Sequence, residues 1–229
     1  MKKSLQYLKN IFKFFDVSFH MLYKRSDDME FTLKKFSKDI TLVIDVGVAN
    51  GTPDLYKAFK SHRKILIEPI KEFVENLKLN KSILNSTIIN GCASESRKKI
   101  DFFIRSKKST SSNNMGVSFD KKIVVQSDKL DNICKNLVHT NDVICLKIDT
   151  EGSEVNVLKG SENILKKTKL VVAEATLYPT LKGSCDFFEL IDYMKKNNFQ
   201  ILDFVNIRKT DLKLDQMDII FIKYEQILN

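Results

Sequence analysis

The chain has 229 residues, of which 43% are hydrophobic, so it is long enough to bury the core of one α/β domain with an appended segment. Its formal net charge is +9, but the lysines are scattered along the chain, so we attribute the charge to solubility and expect no nucleic-acid partner. The four cysteines form no C-x-x-C pair and the three histidines do not cluster beside them. This argues against a metal site and a disulfide framework and favours a reducing compartment, the cytoplasm.

The first predicted element is a basic amphipathic helix within an N-terminal extension, residues 1–40. Charged residues interrupt the helix and no small-residue cleavage site follows, so we expect neither a signal peptide nor a membrane-spanning helix. Two interpretations of residues 1–25 stay open: packing on the domain or on a second subunit, and peripheral contact with the inner face of the membrane. The apolar residues at helical spacing are Leu8, Ile11, Phe12, Phe15, Phe19 and Leu22.

From residue 41 to residue 229, short apolar runs alternate with helical stretches, which is typical of βα units and a mostly parallel sheet with helices on both faces. The segment 94–130 interrupts this rhythm and predicts a loop or small extra strands over the sheet edge. Its polar centre, residues 107–116, is either a lid or a connector. The predicted strands span 41–46, 64–69, 86–90, 142–149, 169–175, 200–205 and 218–223, and the predicted helices span 53–61, 70–79, 153–167 and 186–197.

The first of these strands ends in a loop of small residues. Gly47, Ala49 and Gly51 form a G-x-A-x-G pattern, and Pro53 stands just inside the next helix. Ligands of open parallel sheets bind outside the carboxyl ends of the strands, so we expect a ligand against this loop. The loop is weak evidence alone, because a tight turn also requires Gly47 for steric reasons.

An acidic residue, Glu68, ends the second predicted strand. At this place, about twenty residues after the glycine loop, an acidic side chain typically accepts two hydrogen bonds from a ribose diol. The two features together predict a nucleoside-containing cofactor.

The chain contains six distinctive stretches, which are, in order, "IDVGVANG", "LIEP", "CASES", "KLDNI", "LKIDTEGSEVNVLKG" and "VVAEA". In order and spacing they resemble the landmarks of the FkbM-type S-adenosylmethionine-dependent methyltransferases. The resemblance covers about residues 41 to 224, and its most specific part is 147–160. It implies a class I methyltransferase fold, which is Rossmann-like, with a seven-stranded sheet of order 3-2-1-4-5-7-6 whose last strand is antiparallel. Residues 218–223 would be that strand.

The resemblance also implies a role for each site residue. The small-residue loop would face the methionine part of S-adenosylmethionine, the acid that ends the second strand would hold the ribose hydroxyls, and the turn after the third strand would border the adenine. The expected cofactor-binding residues, with no metal ligand among them, are Asp45, Gly47, Ala49, Asn50, Gly51, Glu68, Ala93 and Ser94.

The loop departs from the family pattern at one position. The family usually has Asn two residues after the first Gly, where this chain has Ala49 followed by Asn50. Either residue could therefore contact the carboxylate of the cofactor.

The fourth predicted strand carries the candidate catalytic residue. Alternation places residues 143, 145, 147 and 149 on one face and residues 144, 146 and 148 on the other. Lys147 then points into a covered layer, so we expect it to pair with Asp45, Asp149 or Glu174. Asp149 ends the strand beside the ligand crevice and is expected to orient or deprotonate a substrate hydroxyl, with His139 as a more distant alternative. Glu174 ends the fifth strand and could face the same pocket.

These expectations describe an O-methyltransferase whose acceptor is a hydroxyl of a sugar, a glycan or a similar small molecule. Two alternatives stay open: an RNA ribose methyltransferase, and a non-catalytic binding protein that retains the cofactor fold. Base-methylating enzymes are disfavoured, because the three prolines are followed by Asp, Ile and Thr and so provide neither a D/N-P-P-Y/F motif nor a Pro-Cys nucleophile.

Overall fold

A computed structural model of the chain describes residues 28–80, 83–104, 109–110, 121–177, 184–210 and 213–224. The predicted helix of residues 1–25 and most of segment 107–116 lie outside these ranges, so their predicted roles stay predictions, as does the domain boundary at residue 40. Within the described ranges, no helix has the length and apolar character needed to cross a membrane.

Strands and helices alternate through most of the described chain. The strands are β1 (Leu42–Val46), β2 (Arg63–Glu68), β3 (Ser86–Asn90), β4 (Cys92–Ala93), β5 (Lys99–Ile104), β6 (Ser109–Thr110), β7 (Lys121–Asp128), β8 (Ile144–Ile148), β9 (Thr168–Thr176), β10 (Phe199–Thr210) and β11 (Lys213–Lys223). The helices are α1 (Met29–Lys34), α2 (Pro53–Ala58), α3 (Lys71–Leu79), α4 (Leu130–Ile133), α5 (Glu154–Lys159), α6 (Glu162–Lys167) and α7 (Phe187–Lys196).

The main sheet has seven strands in the order β10-β11-β9-β8-β1-β2-β3. Strand β1 pairs in parallel with β2 and β8, and β8 pairs in parallel with β9. Strand β11 is antiparallel to both of its neighbours, β9 and β10. This is the predicted order with the predicted antiparallel strand, so the predicted fold class is confirmed.

Apolar side chains cover both faces of the main sheet. Strands β1 and β8 are buried along their whole length, as expected of central parallel strands covered by helices. One apolar layer contains Leu146 and Ile148 together with residues of α5 and α6, and the other contains Val43 and Cys145 together with residues of α1 and α2. The alternation predicted for the fourth strand is therefore confirmed.

The segment that interrupts the βα rhythm forms a second, small sheet in the order β4-β7-β5-β6. Of the two sequence interpretations, a loop or extra strands, the extra strands are thus the correct one for the described part of this segment. Strand β4 follows β3 after only Gly91, and the Gly91 N–H donates to the Glu68 carbonyl at 3.1 Å. The small sheet therefore starts at the carboxyl end of β2.

The helix predicted over residues 153–167 is wrong in one respect, because the structure has two helices there, α5 and α6. Gly160 lies between them, and a Cβ atom at this position would be 2.0 Å from the main-chain oxygen of Ser94. The turn after β4 comes so close to the junction of the two helices that only glycine fits there. The helical spacing of apolar residues in the sequence cannot reveal this contact.

Candidate active site

A cavity of about 500 Å³ opens at the carboxyl ends of β1 and β2. Ligands of open parallel sheets bind at this end, and the volume lies in the range of cofactor pockets. Seven of the nine predicted site residues line the cavity, and Asp45 and Ser94 do not. The seven are Gly47, Ala49, Asn50, Gly51, Glu68, Ala93 and Asp149.

The loop between β1 and α2 begins with a sharp turn at Gly47. Its φ is +79°, and a Cβ atom here would lie 1.8 Å from the main-chain oxygen of Asp149. No side chain fits, because the ends of β1 and β8 approach each other too closely. The tight turn alone therefore explains why residue 47 is glycine. The rest of the loop provides the wall that faces a ligand.

Ala49 adopts a left-handed backbone conformation, with φ +45°. Its N–H donates a hydrogen bond to Oε2 of Glu68 at 2.8 Å, which fixes the loop against the end of β2. Asn adopts this conformation at less cost than Ala, which gives a physical reason for an Asn at the first of the two positions. In this chain Ala49 and Asn50 both line the cavity.

The carboxylate of Glu68 is held firmly at the cavity wall. Oε2 accepts from Ala49 N and Oε1 accepts from Ile70 N at 2.9 Å, and the residue is only 4% exposed. Burial raises the pKa of Glu68, and the two amide hydrogen bonds oppose that shift. A carboxylate oxygen has two lone pairs, so each oxygen can accept one further hydrogen bond from a ligand hydroxyl.

Asp45 lies beneath the loop and not in the cavity wall. The residue is completely buried, and its Oδ2 accepts from Thr52 Oγ1 at 3.0 Å and from the Tyr56 hydroxyl at 2.7 Å. Burial raises the pKa of Asp45, and the nearby Lys147 partly offsets this. The side chain thus ties β1 to the start of α2 and supports the loop from below, and its predicted direct contact with the cofactor stays a prediction.

The far end of the cavity has apolar walls. Ala93 of β4 lines it, together with Phe73 of α3 and Phe102 of β5, whereas the neighbouring Ser94 is not among the lining residues. Flat aromatic walls suit a purine base. Sequence reasoning missed both phenylalanines, since Phe73 lies on a helix and Phe102 belongs to the small sheet. The alternating stretch "KKIDFFIRS" was the signal for the second of them.

Asp149 follows β8 at the mouth of the cavity, with its side chain 35% exposed. Lys147 donates a hydrogen bond to Asp149 Oδ2 at 3.0 Å and is itself almost completely buried. Burial lowers the pKa of Lys147, but the carboxyl groups of Asp149, Asp218 and Asp45 outweigh it, so the net shift is upward. The predicted pairing of Lys147 is confirmed, with Asp149 as its partner.

The loop after β8 brings further acidic side chains to the mouth of the cavity. Glu151 has φ +53° and lines the cavity, and carboxylate oxygens of Asp149, Glu151 and Glu174 lie within 4.8 Å of one another. Glu154 has a structural role, because its Oε1 accepts from the N–H groups of Thr150 and Gly152 and holds this loop in shape. Acidic proximity alone does not assign a metal, and the expectation of no metal stays a prediction.

His139 lies far from the cavity. Its ring contacts Arg63 at 3.1 Å, beside Asp142, at the amino end of the parallel strands. His139, the alternative catalytic base, therefore cannot contact a ligand held at the carboxyl ends of the parallel strands.

The geometry of this site agrees with the family comparison. Residues 45–201 match the model of the methyltransferase FkbM domain. The chain belongs to the FkbM methyltransferase family. The predicted family, a family of methyltransferases, is therefore confirmed.

Solved structures add evidence on the fold. The chain is similar to the methyltransferase FkbM from Methylobacillus flagellatus, with 19% identity and a TM-score of 0.52 over 79% of this chain and 44% of that one. It thus spans less than half the length of that protein. No curated protein sequence matches significantly.

More distant structural similarity extends to two other proteins. One is the fibrillarin pre-rRNA processing protein of Methanococcus jannaschii, with 14% identity and a TM-score of 0.49 over 81% of this chain and 67% of that one. The other is the magnesium protoporphyrin IX methyltransferase of Synechocystis, which contains bound S-adenosylmethionine, with 8% identity and a TM-score of 0.45 over 85% of this chain and 79% of that one.

The residues of the cavity fit S-adenosylmethionine. The volume of the cavity suits a ligand of that size. The fixed Glu68 carboxylate offers two free lone pairs to a diol, and the apolar far end of the cavity suits a base. Asp149 and Glu151 line the cavity as acidic residues, and their negative charge would suit a cationic sulfonium group.

Proposed function

We propose that this chain transfers a methyl group from S-adenosylmethionine to a hydroxyl of a sugar, a glycan or a similar small molecule. The observation that carries the proposal is the position of Asp149. Its carboxylate is at the cavity mouth, is accessible to an acceptor, and is fixed on one side by the buried ammonium of Lys147. A hydroxyl is a poor nucleophile at neutral pH and benefits from a positioned base of this kind.

In the proposed complex the wall residues bind and orient the donor. Glu68 accepts hydrogen bonds from the ribose hydroxyls, the loop from Gly47 to Gly51 contacts the methionine part, and Ala93 with the adjoining Ser94 borders the adenine. Phe73 and Phe102 exclude water from the base. When bound, the cofactor supplies a methyl group that is already activated on a sulfonium, so the protein mainly aligns donor and acceptor.

Asp149 acts on the acceptor in this proposal. It accepts a hydrogen bond from the hydroxyl and takes its proton as the new oxygen–carbon bond forms and the carbon–sulfur bond breaks. The electron pair of the broken bond stays on sulfur, so the charge of the donor is neutralised. Lys147 holds Asp149 in position but does not contact the acceptor, because it is buried beneath the carboxylate.

The test is a methylation assay with the purified chain, a labelled donor and a panel of neutral sugars, glycans and small polyols, with an RNA oligonucleotide as a further acceptor. We expect transfer to a hydroxyl of a carbohydrate or polyol, and Asp149→Asn should lower turnover about 100-fold or more. The same variant should bind S-adenosylhomocysteine with nearly unchanged affinity.

The outcomes separate the candidate functions. Methylation of RNA alone would support the ribose methyltransferase instead, and tight donor binding without turnover on any acceptor would support the binding protein. The net charge of +9 favours the RNA alternative, but the acidic side chains at the cavity mouth would repel a phosphate backbone at the place of reaction.

A further inference from the structure

Glu174 lies beside the mouth of the cavity, near the carboxyl end of β9. One of its carboxylate oxygens lies within 4.8 Å of oxygens of Asp149 and Glu151. An oxygen atom placed between three such atoms is at most about 2.8 Å from each, which is a hydrogen-bond distance. The three carboxyl groups can therefore act on the same hydroxyl.

Among the residues that the structure describes, carboxyl groups around Glu174 outnumber positively charged groups. Within the described part of the chain, the cation that faces it is Lys147 of β8, whose ammonium donates to Asp149. Neighbouring carboxylates without enough counter-charge do not all ionise, because each ionisation raises the cost of the next. The facing carboxyl groups are Asp149 after β8, Glu151 in the following loop, Glu154 of α5 and Asp218 of β11, which is directly opposite Glu174 in the sheet.

Three of the facing carboxyl groups accept a hydrogen bond within the described ranges, and Glu174 does not. Asp149 is bonded by Lys147, Glu154 by main-chain N–H groups, and Asp218 by the Asn206 amide at 2.7 Å. No residue in the described ranges donates a hydrogen bond to Glu174. Burial, followed by the charges of Asp149, Glu151 and Glu154, raises the pKa of Glu174 to about 9.

We propose that Glu174 is a positioning residue of the acceptor site that holds a proton at neutral pH and so leaves the negative charge beside the acceptor on Asp149. The inference rests on the proposed function for its catalytic meaning. During transfer one proton passes from the acceptor hydroxyl to Asp149, and Glu174 retains its own. Its O–H remains a donor that fixes either the acceptor or the second oxygen of Asp149.

The test observes the proton directly, on the protein without donor or acceptor. Glutamate is labelled with carbon-13 at the side-chain carboxyl, and its NMR signals are followed from about pH 4 to about pH 10. We expect one signal to titrate near pH 9 and to be missing from Glu174→Gln. The control is Glu162→Gln, the same change at an exposed position of α6, and it must leave that signal in place.

A second measurement uses thermal unfolding. The folded chain binds the Glu174 proton more tightly than the unfolded chain, so Glu174 destabilises the fold increasingly as pH rises from about 4.5 to about 9. The melting temperature of Glu174→Gln minus that of the wild type should therefore increase across this window, whereas the difference for Glu162→Gln should stay constant. Should Glu174→Gln not fold, Asp149→Asn, which removes the charge that acts most strongly on Glu174, must shift the alkaline NMR signal to lower pH.

Three results would overturn the proposal: no glutamate signal that titrates above about pH 7, an alkaline signal that persists in Glu174→Gln, or a melting-temperature difference that does not change with pH. Neither measurement needs a substrate, so failure to find a methylated acceptor would leave the protonation of Glu174 intact and would remove only its role toward the acceptor. Equally, a carboxyl group with an ordinary titration would leave the methylation assay intact.

Discussion

The two ends of the parallel strands hold their charged side chains in opposite ways. At the amino end, Nη1 of Arg63 donates to Asp142 at 3.0 Å and Nη2 donates to the Leu137 carbonyl at 2.7 Å. The ammonium of Lys64 donates to three main-chain carbonyl oxygens. The charged groups named here thus find hydrogen-bond partners within the protein.

At the carboxyl end the same sheet has carboxyl groups in the majority and leaves part of their hydrogen-bonding capacity open. Glu68 uses one lone pair of each oxygen on a main-chain N–H, and Asp149 presents a partly exposed carboxylate to the cavity. Buried polar groups are normally satisfied, so the end at which acceptors are left open toward a cavity is the end that receives a ligand. Charge at the other end serves the fold.

The largest expected effect distinguishes the two buried lysines. Lys147 and Lys64 are both 2% exposed, so the same substitution by Met can be compared at both ends. Lys147→Met removes the counter-charge of Asp149, Asp45 and Asp218, and we expect a loss of about 3–5 kcal/mol in the free energy of unfolding. Urea denaturation of the two variants beside the wild type measures the difference.

Lys64→Met is the control for that prediction. It leaves neutral carbonyl oxygens without a donor instead of carboxylates without a counter-ion, so its expected cost is about 1–3 kcal/mol. Equal losses in the two variants would mean that the ends of the sheet do not differ in the way described.

The next effect concerns donor binding. Glu68→Gln keeps the size of the side chain but replaces one carboxylate oxygen by an NH2 group. This group cannot accept a hydrogen bond from a ribose hydroxyl, and it would face a main-chain N–H, which is also a donor. We expect the affinity for S-adenosylhomocysteine to fall by about 1.5–3 kcal/mol in titration calorimetry. Asp142→Asn, a change of the same kind at the amino end, should leave this affinity as it is. Unchanged binding in Glu68→Gln would remove Glu68 from the cofactor site.

Sequence reasoning could reach those features that depend on local pattern. Apolar runs placed the strands of the main sheet, and the position of Glu68 at the end of one strand indicated a diol-binding acid, which does line the cavity. Contacts between distant segments were beyond it. The close approach of Ser94 to Gly160 joins two segments that are far apart in the chain, and local pattern does not show that the small sheet brings Phe102 to the cavity. Asp45 lies near a strand end yet beneath the loop, because alternation directs its side chain toward Thr52 and Tyr56 at the start of α2.

The smallest expected effect tests the loop at the cavity wall. Ala49 has φ +45°, where Asn is less strained than Ala, so Ala49→Asn should raise the free energy of unfolding by up to about 1 kcal/mol. Ala49→Val should lower it, because a β-branched side chain tolerates this conformation worst. Thermal unfolding of both variants gives the sign of each change. If Asn and Val shift the melting temperature in the same direction, strain at this position is not what distinguishes the chain from the usual family pattern. The extra amide of Asn would then have to be assessed as a cofactor contact, by its effect on S-adenosylhomocysteine affinity.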